Sequence, residues 1–428
     1  MTRRRKITLA IVGIPLLGLF AFLLTLYPKF AEDVPWMRPF GWFDLPETYT
    51  YAEGEVAPGY RNAADRARDT LHDHMQEIEV PAFSAAVAVD GKLVWSAATG
   101  YADLEQQRKA TPSTLFRIGS TSKAVTGTLF ARMVDDGLID IDAPISAYIE
   151  DLPNPDWAQL TPRQLASHTA GIVGYEENRD LIGVYATMRL HNTSNDVAEG
   201  LEYFDDTELL YEPGTEFHYS SFDVNLLSVV LQEAGGASFQ DLMHERVLRP
   251  LELDSPLPDA PHRDRAAFYH VQDGQAQPWR EVDLSMKLAG GGFMATPSDL
   301  ARLGVAWLDD EFISPETRQQ FWTPQRLADG SVNEQNYALN WRVSKATEDS
   351  PFTYIHHGGV SKGSMAWLAV IPEQRMAVAL AINTRVWPFA RWSGVFFDLV
   401  QLFGDSASVE STSAGLQSRQ VPTWGDDR

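Results

Sequence analysis

The chain has 428 residues, of which 44% are hydrophobic and 22% are charged, a composition typical of globular proteins. This length exceeds what one ordinary core needs, unless the fold is that of a two-lobed enzyme. A formal net charge of −23 argues against nucleic-acid binding, because neutralising phosphates needs a basic face. The absence of cysteine excludes disulfides, thiolate metal sites and a cysteine nucleophile.

An apolar stretch near the N-terminus predicts a membrane anchor. A basic cluster at 3–6 precedes an uncharged segment at 7–27, which as a helix is roughly 30 Å long, the thickness of a bilayer core. Basic flanks stay in the cytoplasm, so we expect residues 1–6 there, a transmembrane signal anchor at 7–27, and the rest outside the inner membrane. The alternative is a cleaved signal peptide, but 27–31 offers no small-x-small cleavage site.

The remaining patterns predict strands at both ends of the folded region and helices between them. In chain order we expect a linker at 28–58, a helix at 60–79, strands at 83–89 and 92–98, a helix at 120–134, mostly helices and loops at 140–260, strands at 354–357, 365–371 and 376–382, a helix at 389–403, and a disordered tail at 405–428. Asp90-Gly91 between two β-prone runs is a strong hairpin signal. This order predicts an α+β domain at 59–404, in which one antiparallel sheet is flanked by terminal helices and carries an inserted all-helical lobe.

The strongest chemical signal is Ser-x-x-Lys at the start of the predicted helix, formed by Ser120 and Lys123. A spacing of three places both side chains on one helix face, and the helix N-terminus favours developing negative charge. A lysine acts as a base where burial or nearby cations disfavour its charge. The alternative is a capping serine beside a surface lysine, although no second Ser-x-x-Lys occurs in the sequence.

This segment resembles the active-site serine motif of class C β-lactamases and of related low-molecular-weight penicillin-binding proteins and esterases. The family's second motif, Tyr-x-Asn, resembles 212–221, which makes Tyr219 the implied general base or proton shuttle. Ser221 stands where the family has Asn. Since that Asn contacts substrate amide carbonyls, Ser221 implies altered amide recognition more than altered activation of the nucleophile.

The family's third motif is Lys-Thr-Gly, or His-x-Gly in its esterase- and peptidase-like members. In this sequence the third motif resembles His357-Gly358-Gly359, although His356-His357-Gly358 also fits. We favour His357, and the resemblance implies that it orients or protonates the substrate. The resemblance then implies an oxyanion hole formed by the backbone N–H groups of Ser120 and Val360. Softer family-like stretches lie at 160–171, where His168 is expected to be structural, and at 289–300, so that the resemblance covers about 60–400.

Other chemistries fit the sequence less well. Gly359-Val360-Ser361-Lys362-Gly363 matches the nucleophile elbow of α/β-hydrolases, but an elbow needs a following helix and 365–371 predicts a strand. The sequence contains no P-loop or G-x-G-x-x-G, and adjacent histidines on a strand point apart, so we predict no cofactor and no metal.

The resemblance implies a serine hydrolase that forms an acyl-enzyme, more an esterase or D-amino-acid peptidase than a true β-lactamase. Its expected partners are a small ester, peptide or β-lactam substrate and the membrane, with no nucleic acid. A catalytically weak, membrane-tethered module that binds cell-wall peptides is the alternative.

Overall fold

The main sheet of the molecule is built on seven consecutive antiparallel strands. The computed structural model describes residues 15, 17–18, 20, 40–175, 196–279, 281–347 and 350–404. Its strands are β1 Phe43–Asp44, β2 Tyr51–Val56, β3 Ala82–Val89, β4 Lys92–Asp103, β5 Arg108–Lys109, β6 Phe116–Arg117, β7 Leu257–Pro258, β8 Tyr269–Gln272, β9 Gln275–Pro278, β10 Phe293–Ala295, β11 Arg342–Ser344, β12 Tyr354–Ser361, β13 Ser364–Ile371 and β14 Met376–Ile382. The order in the main sheet is β11-β12-β13-β14-β3-β4-β2, with β5 added on β4. Strands from both ends of the domain thus meet at the β14–β3 pairing, as the sequence predicted.

Helices cover the sheet and form the middle of the chain. They are α1 Arg61–Ile78, α2 Ser122–Asp135, α3 Pro162–Ser167, α4 Ser221–Gly235, α5 Phe239–Met243, α6 Pro297–Ala306, α7 Pro315–Phe321 and α8 Phe389–Ser393, followed by helical residues 395–404. Together with the antiparallel sheet they confirm the predicted α+β fold class.

The central strands are apolar along their whole length because both of their faces are covered. All residues of β3, β13 and β14 are buried. One face packs on α1 and the C-terminal helix through Phe83, Trp95 and Phe403, and the other belongs to the larger core that continues into the helical region. Strands of this kind show continuous apolar runs rather than alternation.

The first hairpin forms at the predicted place. Asp90 and Gly91 join β3 to β4 with φ values of 49° and 79°. Two consecutive residues with positive φ are typical of the tight hairpin turns that match strand twist, and glycine adopts this conformation without steric cost. Asp-Gly was therefore a sufficient local signal.

The segment predicted as a linker, 28–58, contributes to two sheets where it is described. β1 pairs with β9, and β2 extends the main sheet beyond β4. β2 is an edge strand whose middle residues are exposed, which explains why its sequence lacks a clear apolar pattern. The predicted tail at 405–428 lies outside the described residues.

The predicted membrane location is corrected. Within the described parts of the chain, no helix is both long enough and apolar enough to cross a membrane. Apart from four positions, the segment at 7–27 lies outside the described residues. Length, hydropathy, the basic residues before the segment and the lack of a cleavage site carried that prediction, and no described helix supports it.

Candidate active site

Two glycines bring strand β12 against the segment that carries Ser120. β6 leads into a short 3-10 turn, Gly119–Thr121, which continues directly as α2. A β-carbon on Gly119, whose φ is 51°, would lie 2.5 Å from the carbonyl oxygen of Val360. A β-carbon on Gly359 would lie 2.7 Å from the backbone nitrogen of Thr121, and nearer still to the Ile118 carbonyl. The Ser120 and Val360 backbones therefore run side by side, as the predicted oxyanion hole requires.

Lys123 is fully buried and is surrounded by oxygen acceptors. Its Nζ lies 2.7 Å from the Gly290 carbonyl oxygen, 2.9 Å from Ser221 Oγ and 3.5 Å from Ser120 Oγ. Within the described residues, no carboxylate forms an ion pair with this amine. The structure thus brings Ser120, Lys123 and Ser221 together, with the amine between the two hydroxyls.

The ring of Tyr219, rather than its hydroxyl, faces this amine. Lys123 Nζ lies 4.8 Å from the ring centroid, and Arg342 Cζ lies 5.2 Å from the same centroid. Both distances are within the range of cation–π attraction. Among the described residues, no hydrogen bond joins the Tyr219 hydroxyl to Lys123 or Ser120.

Strand alternation separates the two candidate histidines of the third motif. His357 and Gly359 face Ser120 and the helical region, whereas His356 stacks on Trp367 with ring centroids 4.6 Å apart, on the side of the terminal helices. The sequence alone could not make this distinction, because both registers fit His-x-Gly.

His357 is enclosed and already hydrogen-bonded through both ring nitrogens. Nδ1 lies 2.8 Å from the Gly358 carbonyl oxygen, and Nε2 lies 2.9 Å from the hydroxyl of Tyr337. A carbonyl only accepts, so Nδ1 carries the hydrogen and Nε2 accepts from Tyr337. Burial, followed by the charges of Arg342 and Lys123, holds the pKa of His357 well below its ordinary value. A neutral, buried imidazole with both nitrogens engaged is placed to support the strand, and the role of orienting or protonating the substrate stays a prediction for His357.

A second buried histidine lies behind Tyr219. His168 Nδ1 is 2.8 Å from Asp223 Oδ2, both side chains are buried, and the imidazole is 4.4 Å from the Tyr219 ring. Burial, then Lys123, lowers the pKa of His168, and burial raises the pKa of Asp223 while Lys123 opposes that rise. This pair packs against the site without reaching the cleft, which fits the structural role expected for His168.

Ser361 does not occupy a nucleophile elbow. It is the last residue of β12, 8% exposed, and β13 follows after a two-residue turn. Its hydroxyl has no hydrogen-bond partner in the described part of the chain. An elbow needs a helix after the serine, so this hydroxyl lacks both the context and the activating base.

Ser120 opens onto a cleft of about 510 Å³. The lining residues are Ser120, Gly174, Tyr175, Phe217, His218, Tyr219, Ser221, Glu334 and Gln335. Arg342 stands beside this cleft, donating to Gln335, and within the described residues no carboxylate pairs with it. Sequence reasoning missed Tyr175 and Arg342, because neither lies in a motif and only the fold brings them to the serine. In the described ranges, no group of three or more His, Asp or Glu side chains could hold a metal ion.

Comparison with known proteins gives one consistent family. The family described as Beta-lactamase matches residues 67–393. The chain is 27% identical over 419 residues to "Serine beta-lactamase-like protein LACTB, mitochondrial" of Bos taurus, covering 77% of this chain and 75% of that protein. It is 25% identical to a "Beta-lactamase" of Escherichia coli (strain K12), covering 74% and 88%. Among solved structures, a D-amino acid amidase from Ochrobactrum anthropi SV3 superposes with a TM-score of 0.63 at 20% identity, covering 82% of this chain and 99% of that one.

Proposed function

The chain belongs to the Beta-lactamase family, and from this premise we propose that it is a serine hydrolase acylated at Ser120. One observation carries the proposal. The buried amine of Lys123 is held between the hydroxyls of Ser120 and Ser221 at the floor of an open cleft. A hydroxyl beside a potential base, exposed to substrate on its other side, is the arrangement that nucleophilic catalysis requires.

In the proposed reaction, Ser120 Oγ attacks the substrate carbonyl while the neutral form of Lys123 takes the hydroxyl proton. The developing oxyanion is stabilised by the backbone N–H groups of Ser120 and Val360, which the close approach at Gly119 supports. Donors of this kind are each worth roughly 100- to 1,000-fold in rate. The leaving group departs with a proton, and water then hydrolyses the acyl-enzyme. Tyr219 stays the predicted second proton-handling group, and its ring also holds the two cations.

The proposed substrates are carboxylic esters or D-amino-acid peptides rather than β-lactams. Ser221 lacks the amide with which Asn would bind a substrate carbonyl. His357, with its depressed pKa, does not supply the positive charge that a lysine would offer to a β-lactam carboxylate. Arg342 offers a guanidinium at another place along the cleft, so a carboxylate-bearing substrate has to approach from that side.

A labelling and turnover experiment on the full chain tests this function. A fluorophosphonate is expected to modify Ser120, and Ser120→Ala is expected to abolish labelling and to reduce ester turnover by at least about 1,000-fold. Ser361→Ala is the matched control, because its hydroxyl lies nearby on β12 without an activating base. p-Nitrophenyl butyrate should be hydrolysed more efficiently than a chromogenic cephalosporin. Modification of Ser361, or a preference for the cephalosporin, contradicts the assignment or the substrate class respectively.

A further inference from the structure

Arg117 joins the strand that precedes Ser120 to the turn that follows Val360. It lies in β6, three residues before Ser120, and its side chain is 1% exposed. Its Nη1 donates a hydrogen bond of 2.9 Å to the carbonyl oxygen of Lys362, which belongs to the two-residue turn between β12 and β13. Val360 lies two residues before that carbonyl. One side chain therefore links the two backbone segments that carry the donors of the proposed oxyanion hole.

A carboxylate bound by another nitrogen of this guanidinium fixes its orientation. Arg117 Nε donates to Asp259 Oδ2 at 2.8 Å, and the Asp259 side chain is as deeply buried as that of Arg117. Asp259 is itself held in place, because its backbone N–H donates to the Gly292 carbonyl oxygen at 2.9 Å. Arg265 Nε forms an ion pair of 3.1 Å with the other carboxylate oxygen. Groups outside β6 thus set the direction in which Nη1 of Arg117 points.

Phe268 packs against both the guanidinium and the turn. Arg117 Cζ lies 4.3 Å from the centroid of the Phe268 ring, and Arg265 Cζ lies 5.2 Å from the same centroid. Both distances are within the range of cation–π attraction. The turn approaches the same residue closely, because a β-carbon on Gly363 would lie 2.7 Å from Cβ of Phe268. The guanidinium and the turn that it binds are therefore packed on one buried side chain.

Stability alone does not explain a buried ion pair at this place. Taking two charges out of water carries a large penalty, and replacing such a pair by apolar side chains is often neutral or stabilising. A guanidinium supplies direction in return, because its donors form a rigid planar fork that an ammonium does not have. Here one arm of the fork holds Asp259 and the other holds the turn after Val360.

We infer, on the basis of the proposed serine hydrolase function, that Arg117 is a positioning residue for the oxyanion hole. Arg117 is not among the residues that line the cleft, so it acts through the backbone. By holding the Lys362 carbonyl, it sets the distance between the N–H groups of Ser120 and Val360. Those groups bind the oxygen that gains negative charge in the tetrahedral intermediate. Loss of the fork should therefore weaken binding of the transition state more than binding of the substrate.

Arg117→Lys in the full chain tests this role, because it keeps a positive charge beside Asp259 and removes the fork. It is expected to lower kcat for p-nitrophenyl butyrate about 10- to 100-fold and to leave KM within about twofold, since a misplacement of about 1 Å costs about 100-fold in rate. Propyl trifluoromethyl ketone forms a hemiketal with a serine, which places an oxyanion in the hole. Its inhibition constant should rise by the same factor as kcat falls. Activity is expressed per Ser120 that a fluorophosphonate labels at completion, so that misfolded molecules are not counted.

Arg318→Lys is the matched control. Arg318 also joins a carboxylate to a backbone carbonyl, through hydrogen bonds of 2.7 Å to Asp310 and 3.0 Å to Trp307, but it lies on α7. Its replacement should lower the free energy of unfolding and leave kcat and the inhibition constant at their wild-type values. The same substitution thus separates a loss of stability from a loss of positioning.

Asp259→Asn decides the matter if Arg117→Lys does not fold. It keeps an acceptor for Arg117 Nε, so kcat should fall only about three- to tenfold, with a parallel rise in the inhibition constant, because a neutral amide binds a guanidinium less strongly than a carboxylate does. Arg117 has no positioning role if the variant tested is less stable while kcat and the inhibition constant stay unchanged, or if KM alone changes. Absence of fluorophosphonate labelling at Ser120 in the wild type would instead reject the proposed function itself.

Discussion

The contact between Gly359 and the Ser120 segment yields the sharpest prediction about this site. In Gly359→Ala the new β-carbon would lie 2.7 Å from the Thr121 nitrogen and nearer still to the Ile118 carbonyl, whereas β-carbons essentially never come within 3.0 Å of such atoms. Both neighbours are backbone atoms, which have no rotamer by which to move away. The φ of Gly359 is not in the left-handed region, so alanine suits the backbone itself and the steric contact is the perturbation.

The expected effect follows from the geometry of the proposed oxyanion hole. Strand β12 must retreat by about 1 Å, and a misplacement of that size costs about 100-fold in rate. Loss of one hole donor costs roughly 100- to 1,000-fold, so kcat for p-nitrophenyl butyrate should fall by that factor while KM changes little. Overpacking should also lower the free energy of unfolding by about 1–3 kcal/mol. Activity is therefore compared per folded molecule, after a thermal melt.

Gly358→Ala is the matched control on the same strand. Its β-carbon would lie 2.7 Å from a ring carbon of Phe389, a side chain on the opposite face of the sheet. It should cost comparable stability and leave kcat within about threefold of the wild type. If Gly359→Ala is as active as Gly358→Ala, β12 does not supply a donor to the reaction and the oxyanion hole lies elsewhere.

Two further predictions concern charge. Arg342→Gln should lower kcat/KM about 10- to 100-fold for a substrate with a carboxylate beside the scissile bond, since a charge-assisted hydrogen bond contributes about 1.5–3 kcal/mol. The variant should leave kcat/KM for the methyl ester of that substrate unchanged. Equal losses on both substrates would argue for a structural role of Arg342. Burial, followed by the charge of Arg342, lowers the pKa of His356 to about 3, whereas an unfolded histidine titrates near 6.5. The unfolded state therefore binds the extra proton first, and stability is lost as the pH falls below about 6.5, by about 2 kcal/mol at pH 5. In urea unfolding, the free energy of unfolding of His356→Gln should depend less on pH than that of the wild type. His262→Gln, which changes an exposed histidine, should show the same pH dependence as the wild type. An identical pH dependence for all three proteins would contradict the lowered pKa of His356.

Local signals were sufficient wherever neighbours in sequence decide the geometry. The three-residue spacing of Ser120 and Lys123 places them on one face at the helix start, and Asp90-Gly91 fixes a hairpin without help from the rest of the chain. The continuous apolar runs of β13 and β14 likewise indicate strands that are covered on both faces. In each case the physical cause lies within a few residues.

The remaining features depend on which distant segments meet. β2 has too few apolar residues to be predicted and exists because β4 offers it an edge. Arg342 reaches Tyr219 only because β11 pairs with β12, and Tyr175 enters the cleft from a loop after α3. For the apolar segment at 7–27 the error runs the other way. Its length and hydropathy predicted a membrane helix, and no tertiary contact was available to test that prediction.

The positions of the cations explain how this site differs from the family pattern. In the family's Lys-Thr-Gly, a lysine of the third motif brings a charge to the substrate, whereas here the corresponding imidazole is neutral because it is buried beside Arg342 and Lys123. Those two cations instead lie against the ring of Tyr219, at 5.2 and 4.8 Å from its centroid. The face of the Tyr219 ring, rather than its hydroxyl, is therefore turned to Lys123. The hydroxyl of Ser221 lies 2.9 Å from the amine and accepts a hydrogen bond from it. Ser221 and His357 thus both bear on the same buried amine, since Ser221 accepts a hydrogen bond from Lys123 and the charge of Lys123, after burial and Arg342, lowers the pKa of His357.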